Sequence, residues 1–184
     1  MTEKNPGDDK GNHPLSKGQI LRAFMRNLPQ PVLVVTTKYE GGLWGLTMSS
    51  FTSASLSPPL VLICIDKKTP SYEPILKRGW FAVNLLNENQ SGISDLFAGR
   101  FKEKQKFQNI KFHLTQENDL PIIEDSLGYL ECKIWRIYEA GDHDILVAEV
   151  MDGEARSGLP IVYYDQSYGK LGRWEGSPSL YPPY

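Results

Sequence analysis

Residues 45–59 read GLTMSSFTSASLSPP, and seven of these fifteen residues carry a hydroxyl group. In an extended strand, successive side chains point to opposite faces. One face of such a strand would present Thr47, Ser49, Phe51, Ser53 and Ser55, a row of hydroxyls interrupted by one aromatic ring. Two alternatives fit this row: a Ser/Thr-rich edge strand, or a surface on which a planar polar ring or a phosphate lies close to the backbone. The stretch alone leaves both open.

Length, net charge and apolar content indicate what kind of protein this is. A chain of 184 residues is predicted to form one domain that buries its core without disulfides or metals. A formal net charge of -2 argues against a nucleic-acid partner held by a general basic field. No apolar run reaches the length of a membrane span, and the N-terminus lacks an apolar targeting segment. We therefore expect a soluble, cytoplasmic protein without a nucleic-acid or membrane partner.

The positions of the cysteines and histidines, together with missing motifs, exclude several kinds of site. Cys64 and Cys132 each lie inside an apolar run, the usual place for buried free thiols. The three histidines are far apart, and no Cys or His falls at metal-ligand spacing. No G-x-S-x-G, G-x-G-x-x-G or P-loop motif occurs. The sequence thus predicts no metal site, no serine-hydrolase site and no standard nucleotide-binding loop.

Hydrophobic periodicity divides the chain into elements. Helices are predicted at residues 19–27, 71–78 (with Ser71 as the cap) and 89–98, and strands at residues 31–38, 43–57, 60–65, 80–85, 127–138, 145–151 and 160–164. Residues 99–119 are charged and weakly patterned, which predicts a long loop. Residues 1–14 are predicted to be a disordered tail, residues 15–172 the domain, and residues 173–184 a Pro- and aromatic-rich tail. Short strands joined by hairpins predict a mainly β fold, an antiparallel barrel with a few short flanking helices.

Three further groups of residues are candidates for a site. Residues 141–144, Gly-Asp-His-Asp, form a predicted hairpin tip, where His143 is either solvated or functional. Six basic residues, Lys67, Lys68, Arg100, Lys102, Lys104 and Lys106, form either a solvated face or the source of a phosphate contact. Aromatic residues between positions 163 and 169 either close a strand end or stack on a planar ligand.

Taken together, these segments resemble the flavin reductase-like family, which shares the FMN-binding split barrel. The resemblance is ordered along residues 26–172 and is carried by TMSSFTSASLSPPLVLICID, GWFAVNLLNENQSGISDLFAG, LPIIEDSLGYLECKIWRIYEAGDHDILVAEV and PIVYYDQSYGKLG. It implies a split β-barrel that binds FMN or FAD and takes a hydride from NADH or NADPH. It also implies a homodimer and, as partner, a separate monooxygenase component that receives reduced flavin.

The resemblance implies roles for particular residues. Flavin contacts are implied for Thr47, Met48, Ser49, Ser50, Ser53, Ser55, Asp66, Lys67, Asn84, Phe97 and Ala98. His143, of the G-D-H signature, is implied to act at the nicotinamide side, as are Tyr168 and Gly169. Where many members carry D-R-F, this chain has Gln105-Lys106-Phe107, so either Lys106 or Arg100 meets the flavin phosphate.

The predicted activity is that of an NAD(P)H:flavin oxidoreductase. Hydride transfer between two bound cofactors needs neither a protein nucleophile nor a metal, because the cofactors carry the chemistry. The sequence has no arginine cluster typical of a 2′-phosphate site, which favours NADH. Two alternatives stay open: an FMN-binding electron carrier without a monooxygenase partner, and a flavin-binding or storage module.

Overall fold

The computed structural model describes residues 14–100 and 103–172, apart from the side chains of residues 100, 103 and 104. The helical elements are α1 (Lys17–Arg26), α2 (Tyr72–Arg78), α3 (Ser91–Asp95), a wider π-type turn (Leu96–Arg100), α4 (Glu103–Lys106) and a 3-10 turn (Phe107–Asn109). The strands are β1 (Gln30–Pro31), β2 (Leu33–Tyr39), β3 (Gly42–Met48), β4 (Phe51–Leu56), β5 (Pro59–Asp66), β6 (Trp80–Leu85), β7 (Phe112–Leu114), β8 (Pro121–Ile123), β9 (Gly128–Ala140), β10 (His143–Ala155), β11 (Ile161–Tyr164) and β12 (Ser167–Lys170). The predicted tails lie outside the described residues except for Pro14, as does the side chain of Arg100.

The main sheet has seven antiparallel strands in the order β3-β2-β6-β9-β10-β5-β4. Its two edge strands, β3 and β4, are consecutive in the chain and are joined by Ser49 and Ser50 alone. In a flat sheet the edges would be about 29 Å apart, since neighbouring strands are spaced about 4.8 Å. Three residue steps span at most about 11 Å. The sheet must therefore curl until its edges meet at this joint, and the predicted mainly β, antiparallel fold is confirmed.

The hydroxyl-rich stretch is not one continuous strand, as predicted, but two. β3 ends at Met48, and β4 starts at Phe51 on the other edge of the sheet. The backbone N–H of Phe51 donates to the carbonyl of Ser49 at 3.0 Å, which turns the chain between the edges. The predicted row of hydroxyls on a single face is therefore wrong, because alternation is interrupted at this corner.

Several other predicted boundaries need correction. Ser71 does not cap α2 with its side chain but donates its hydroxyl to the carbonyl of Gly45 at 3.0 Å. The predicted loop at residues 99–119 contains α4, a 3-10 turn and β7, and the pair β7–β8 forms a separate two-stranded sheet. The predicted helix at residues 89–98 is shorter and ends in the π-type turn, where Gly99 adopts φ +91°. Strands β1 (Gln-Pro) and β12 (Ser-Tyr-Gly-Lys), which pair with β11, were not predicted because neither carries an apolar run.

Two apolar clusters lie on the two sides of the sheet near β3. The first packs β2, β5, β6 and β10 against α2, with Ile63, Ile65, Ile75, Phe81 and Leu146 fully buried. The second surrounds three aromatic rings, Phe97, Phe107 and Phe112, which meet edge to face at centroid distances of 5.1 and 5.3 Å. Cys132 belongs to the first cluster, and burial raises the pKa of its thiol to about 12.

Helix α1 stands apart from both clusters. It begins with a capping box, in which the Ser16 hydroxyl accepts from the backbone N–H of Gln19 at 3.3 Å and the Gln19 side chain accepts from the backbone N–H of Ser16 at 2.8 Å. None of its residues is buried. No helix in the described parts of the chain is long and apolar enough to cross a membrane.

Candidate functional site

A cavity of about 420 Å³ opens along the edge of β3. Five consecutive residues of the hydroxyl-rich stretch line it, from Gly45 through Ser49. Its other walls come from the loop before α2, from α3 and the π-type turn, from Lys106, and from the β11–β12 hairpin. Because β3 is an edge strand, one side of its backbone faces this cavity and the other side pairs with β2.

The backbone orientation of β3 follows from the contacts of Gly45. Its carbonyl oxygen accepts hydrogen bonds from the Ser71 hydroxyl at 3.0 Å and from the Lys106 ammonium at 3.1 Å. That oxygen therefore points away from β2. Backbone orientation alternates along an antiparallel strand, so the N–H and C=O of Thr47 also point away from β2. The edge thus presents backbone donors and acceptors to a ligand.

Gly45 is also a packing requirement. A Cβ atom placed on it would lie 2.7 and 2.9 Å from two ring carbons of Phe97 and 3.1 Å from the carbonyl oxygen of Val35. Only a residue without a side chain lets the ring of Phe97 rest on β3 at this point. The glycine therefore sets how closely the π-type turn approaches the strand.

Lys106 supplies a positive charge to the cavity. The residue is only 2% exposed, and its ammonium lies 5.8 Å from the centroid of the Phe97 ring. α4 places this lysine directly before Phe107, which anchors the second apolar cluster. A buried ammonium beside backbone donors suits an anionic ligand group.

Polar groups of α3, from both backbone and side chains, join two walls of the cavity. The Thr47 hydroxyl donates to the carbonyl of Ser94 at 2.6 Å, and the Tyr168 hydroxyl lies 2.8 Å from the Ser94 hydroxyl and 3.2 Å from a carboxylate oxygen of Asp95. Burial raises the pKa of Tyr168, and the Asp95 carboxylate acts in the same direction. Tyr168 is therefore a neutral hydrogen-bonding group at physiological pH.

The structure brings seven of the predicted site residues together at this cavity: Thr47, Met48, Ser49, Phe97, Ala98, Lys106 and Tyr168. It places nine others outside the cavity lining: Ser50, Ser53, Ser55, Asp66, Lys67, Asn84, Phe107, His143 and Gly169. For Arg100, the remaining candidate, the side chain lies outside the described residues.

Ser50 and Asn84 have structural contacts in this chain. The Ser50 hydroxyl donates to the carbonyl of Cys64 at 2.9 Å and accepts from the backbone N–H of Cys64 at 3.1 Å, which fixes the β3–β4 corner against β5. Asn84 is fully buried, and its side chain bonds Val34 and Thr36 on β2 and Ile123 on β8. Both side chains hold strands in place beside the cavity rather than lining it.

Ser53 and Ser55 lie on β4, at the other edge of the sheet. Ser53 is exposed, and the Ser55 hydroxyl accepts from the backbone N–H of Ser57 at 3.2 Å in the turn that leads to β5. Phe107 belongs to the second apolar cluster, and Gly169 pairs with Val162 on β11. None of these four residues reaches the cavity within one chain.

His143 begins β10 at the tip of the long β9–β10 hairpin. Its Nδ1 lies 2.7 Å from a carboxylate oxygen of Asp142, and this contact lowers the pKa of Asp142. The register places His143 opposite Asp66 at the end of β5. Four residues beyond Asp66 the chain passes Pro70, which lines the cavity, so the hairpin tip and the cavity are connected through one short loop.

Lys67 ties that loop to the hairpin. Its ammonium donates to the carbonyl of Gly141 at 3.0 Å and pairs with Glu139 at 3.0 Å and Asp144 at 3.3 Å. The Tyr72 hydroxyl donates to Asp144 at 2.5 Å, which, together with Lys67, lowers the pKa of Asp144. In this chain Lys67 fixes the hairpin tip instead of facing the cavity.

Tyr163, one of the candidate aromatic residues between positions 163 and 169, also lines the cavity. Sequence reasoning missed several other lining residues: Pro31, Val32, Gly45, Leu46, Thr69, Pro70, Ser71, Ser94, Asp95, Gly99 and Gln166. Gly45 and Leu46 open the stretch from which the reasoning began, so their position was a usable signal. Ser94 and Asp95 directly precede the Leu-Phe-Ala of the predicted helix end. Nothing in the sequence marks the loop before α2 or Gln166 as parts of one cavity, because tertiary packing alone brings them to β3.

Comparison with known proteins supplies the remaining evidence. The model of the flavin reductase like domain matches residues 25–172. The reductase component of a 4-nitrophenol 4-monooxygenase/4-nitrocatechol 2-monooxygenase from Rhodococcus opacus is 33% identical over 156 residues, which cover 85% of this chain and 82% of that protein. An NADH-dependent FAD reductase from Streptomyces globisporus is 37% identical over 153 residues, which cover 79% of this chain and 82% of that one. A structure of the NADH:FAD oxidoreductase from Streptomyces globisporus, in complex with NAD and FAD fragments, superposes with a TM-score of 0.78 at 30% identity, covering 94% of this chain and 100% of that one. The chain described here belongs to the flavin reductase like family.

Proposed function

We propose that this protein is an NADH-dependent flavin reductase, which passes a hydride from the nicotinamide to FMN or FAD. The observation that carries the proposal is the cavity along the β3 edge, where backbone groups, apolar side chains and the buried ammonium of Lys106 converge. The flavin reductase like domain covers residues 25–172, which include every residue that lines the cavity, and this supports flavin as its ligand.

The residues present fit a flavin. A cavity of about 420 Å³ falls within the range of about 300–1,000 Å³ usual for small-molecule sites. A flavin has an apolar ring system, a polar pyrimidine edge and an anionic phosphate. The cavity offers Met48 and Pro31 as apolar walls, the β3 backbone and Ser49 as hydrogen-bonding groups, and Lys106 as a cation. We assign the phosphate or the charge-bearing edge of the flavin to Lys106, whose ammonium is a point charge without the bidentate geometry of arginine.

The protein's own contribution is binding and orientation. When bound, a flavin and a nicotinamide would supply the hydride chemistry themselves, and this chain would supply no covalent step. The edge of β3 would hold and orient the ring, and Lys106 would balance negative charge on it. Tyr168, whose hydroxyl is held by Ser94 and Asp95, provides a neutral aromatic ring at the opposite wall.

We assign the nicotinamide side to Tyr168 and His143. Tyr168 is in the cavity wall, whereas His143 lies at the hairpin tip with a half-exposed ring. Lys67 joins that tip to the loop that lines the cavity. We therefore assign to His143 a contact with a nucleotide that extends out of the cavity, and to Lys67 the role of holding the hairpin tip.

We further propose a homodimer that supplies reduced flavin to a separate oxygenase component. The relative from Rhodococcus opacus is named as the reductase component of a monooxygenase, and it is similar to this chain over most of its length. Ser53, exposed on the edge strand β4, and the half-buried Ser55 are available to a flavin that extends beyond one chain. Reduced flavin would then leave this protein and be used in the active site of the oxygenase.

One experiment tests the proposed activity. Purified protein is loaded with FMN or FAD without oxygen, NADH or NADPH is added, and the flavin absorbance near 450 nm is followed by stopped flow. Fast bleaching with NADH supports the reductase. Tight flavin binding without bleaching would favour an electron carrier, and the absence of flavin binding would contradict the assignment of the cavity.

A further inference from the structure

Tyr72 connects the apolar core to the hairpin tip. Its half-buried ring begins α2 and packs against the first apolar cluster. Its hydroxyl donates to a carboxylate oxygen of Asp144 at 2.5 Å. Asp144 is only 7% exposed and follows His143 directly in β10. A side chain anchored in the core therefore reaches the residue beside the tip histidine.

Each oxygen of the Asp144 carboxylate has its own partner. One accepts from the Tyr72 hydroxyl, and the other lies 3.3 Å from the ammonium of Lys67. The backbone N–H of Lys67 also donates to the carbonyl of Asp142 at 3.1 Å. Tyr72 and Lys67 lower the pKa of Asp144, so the carboxylate is charged at neutral pH. Charge-assisted contacts on both oxygens hold the carboxylate in one orientation.

The anchored carboxylate also determines which way His143 faces. Adjacent residues of a strand point to opposite faces. Asp144 lies opposite the fully buried Ile65, whereas His143 lies opposite Asp66 and its side chain is 42% exposed. Rotation of this part of β10 would break the contacts of Asp144. The imidazole of His143 is therefore held on the outer face of the strand by its buried neighbour.

The chain before Tyr72 forms part of the cavity wall. Thr69 and Ser71 line the cavity, and the Ser71 hydroxyl donates to the carbonyl of Gly45 on β3 at 3.0 Å. The backbone N–H of Tyr72 donates to the carbonyl of Thr69 at 3.1 Å. The backbone of Tyr72 is thus fixed to the wall of the cavity, while its hydroxyl is fixed to the hairpin tip. One side chain sets the separation between the two.

We propose that Tyr72 and Asp144 are positioning residues for the nicotinamide nucleotide, because their hydroxyl–carboxylate contact sets the place of His143 relative to the cavity wall. Neither residue lines the cavity. The pair acts through His143, so it governs the use of NADH and leaves flavin binding unchanged. This inference rests on the proposed function and on the nicotinamide contact assigned there to His143.

Steady-state kinetics of Tyr72→Phe tests the pair, since this variant keeps the ring in the core and removes only the hydroxyl. We expect the KM for NADH to rise about 3- to 10-fold, the usual effect of losing one hydrogen bond. The kcat at saturating NADH and the affinity for FMN should stay at their wild-type values. Tyr138→Phe, at an exposed ring of the same hairpin, is the matched control. A fall in FMN affinity in Tyr72→Phe would show that the hydroxyl supports the cavity itself, and would overturn the inference.

A double mutant shows whether the pair acts through the histidine. In a His143→Ala background, Tyr72→Phe is expected to cause no further rise in the KM for NADH, because the group that it positions is gone. If the second substitution has its full effect there, the hydroxyl does not act through His143 and the inference is overturned.

Amide hydrogen exchange gives a readout that needs neither flavin nor NADH. Residues 139–145 are expected to exchange faster in Tyr72→Phe and Asp144→Asn than in the wild type, because the tip opens more often. Asp152→Asn, at an exposed carboxylate of the same strand, is the control. Unchanged exchange in both variants would overturn the positioning of the tip.

The kinetic results also separate this inference from the proposed function. A wild type that reduces no flavin with NADH overturns the proposed function and this inference together. A wild type that reduces flavin, beside a Tyr72→Phe variant with a normal KM for NADH, overturns the inference alone.

Discussion

The ammonium of Lys106 lies 3.1 Å from the carbonyl oxygen of Gly45, although 61 residues separate the two in the sequence. This contact joins the first residue of the hydroxyl-rich stretch to the buried cation of the cavity. It means that the cavity floor and its positive charge are fixed relative to each other.

Lys106→Met is expected to weaken flavin binding about 10- to 100-fold, since hydrogen bonds to charged groups contribute roughly 1.5–3 kcal/mol. Fluorescence titration with FMN measures the dissociation constant. Lys106→Arg should retain a larger part of the affinity than Lys106→Met. Lys38→Met, which removes a partly exposed lysine paired with Asp119 outside the cavity, is the matched control. Equal affinity in wild type and Lys106→Met would exclude the flavin contact assigned to Lys106.

Gly45→Ala is expected to lower the free energy of unfolding by about 1–3 kcal/mol, because the added methyl group overlaps the Phe97 ring. Urea denaturation gives this free energy. Gly18→Ala is the control: a Cβ there meets no atom within 4 Å, and alanine favours the helix by up to about 1 kcal/mol. A destabilised Gly18→Ala beside an unaffected Gly45→Ala would contradict the packing described for β3.

Tyr168→Phe removes a hydroxyl held by Ser94 and Asp95, and we expect a higher KM for NADH with little change in flavin affinity. The folded pKa of Tyr168 is raised above 10, so its hydroxyl stays protonated as pH rises from 7 to 9. The ratio of wild-type to variant activity should therefore be constant over that range. A ratio that falls toward one near pH 9 would indicate ionisation of the hydroxyl.

His143→Ala is expected to reduce the rate of flavin bleaching at limiting NADH while FMN affinity stays near the wild-type value. The ring lies at the hairpin tip and does not line the cavity, so flavin binding does not depend on it. His113→Ala, an exposed histidine on β7, is the control. Normal dependence on NADH in His143→Ala would remove this residue from the nicotinamide side.

Asp144 connects pH to the stability of the hairpin. Its folded pKa is lowered from the ordinary value of 3.8 by Tyr72 and Lys67. The stabilisation is therefore complete above that value and is lost as pH falls through the folded pKa. Thermal unfolding between pH 6 and pH 2.5 should show a smaller acid-side loss in Asp144→Asn than in the wild type. Glu117→Gln, at an exposed loop position, should follow the wild type.

Local pattern predicted most strands of this fold, because alternating apolar residues are sufficient where one face is buried. The sequence did not predict the corner at Ser49 and Ser50, because serine and threonine occur both in strands and in turns. β7 and β12 are too short to carry a pattern. The π-type turn depends on the φ of +91° at Gly99, which the sequence marks only as a glycine.

The sequence likewise predicted some residues of the site correctly and others not. Thr47, Met48 and Ser49 were identified because the stretch itself is distinctive, and all three line the cavity. Asn84 lies in a segment that resembles the family just as closely. Its side chain, however, makes hydrogen bonds that join β6 to β2 and β8. Sequence pattern alone does not separate a residue that touches a ligand from one that supports the strand beside it.

The joint between β3 and β4 has a consequence for how the molecule folds. The β2–β3 and β4–β5 hairpins are local, whereas β2 meets β6 with Leu33 opposite Leu85, and β5 meets β10 with Asp66 opposite His143. Pairings between distant residues form slowly, because long loops must close first. Both hairpins can form early, but their shared corner reaches its final position only when the three central strands lie between them. The floor of the binding cavity is therefore expected to be among the last parts of the protein to form.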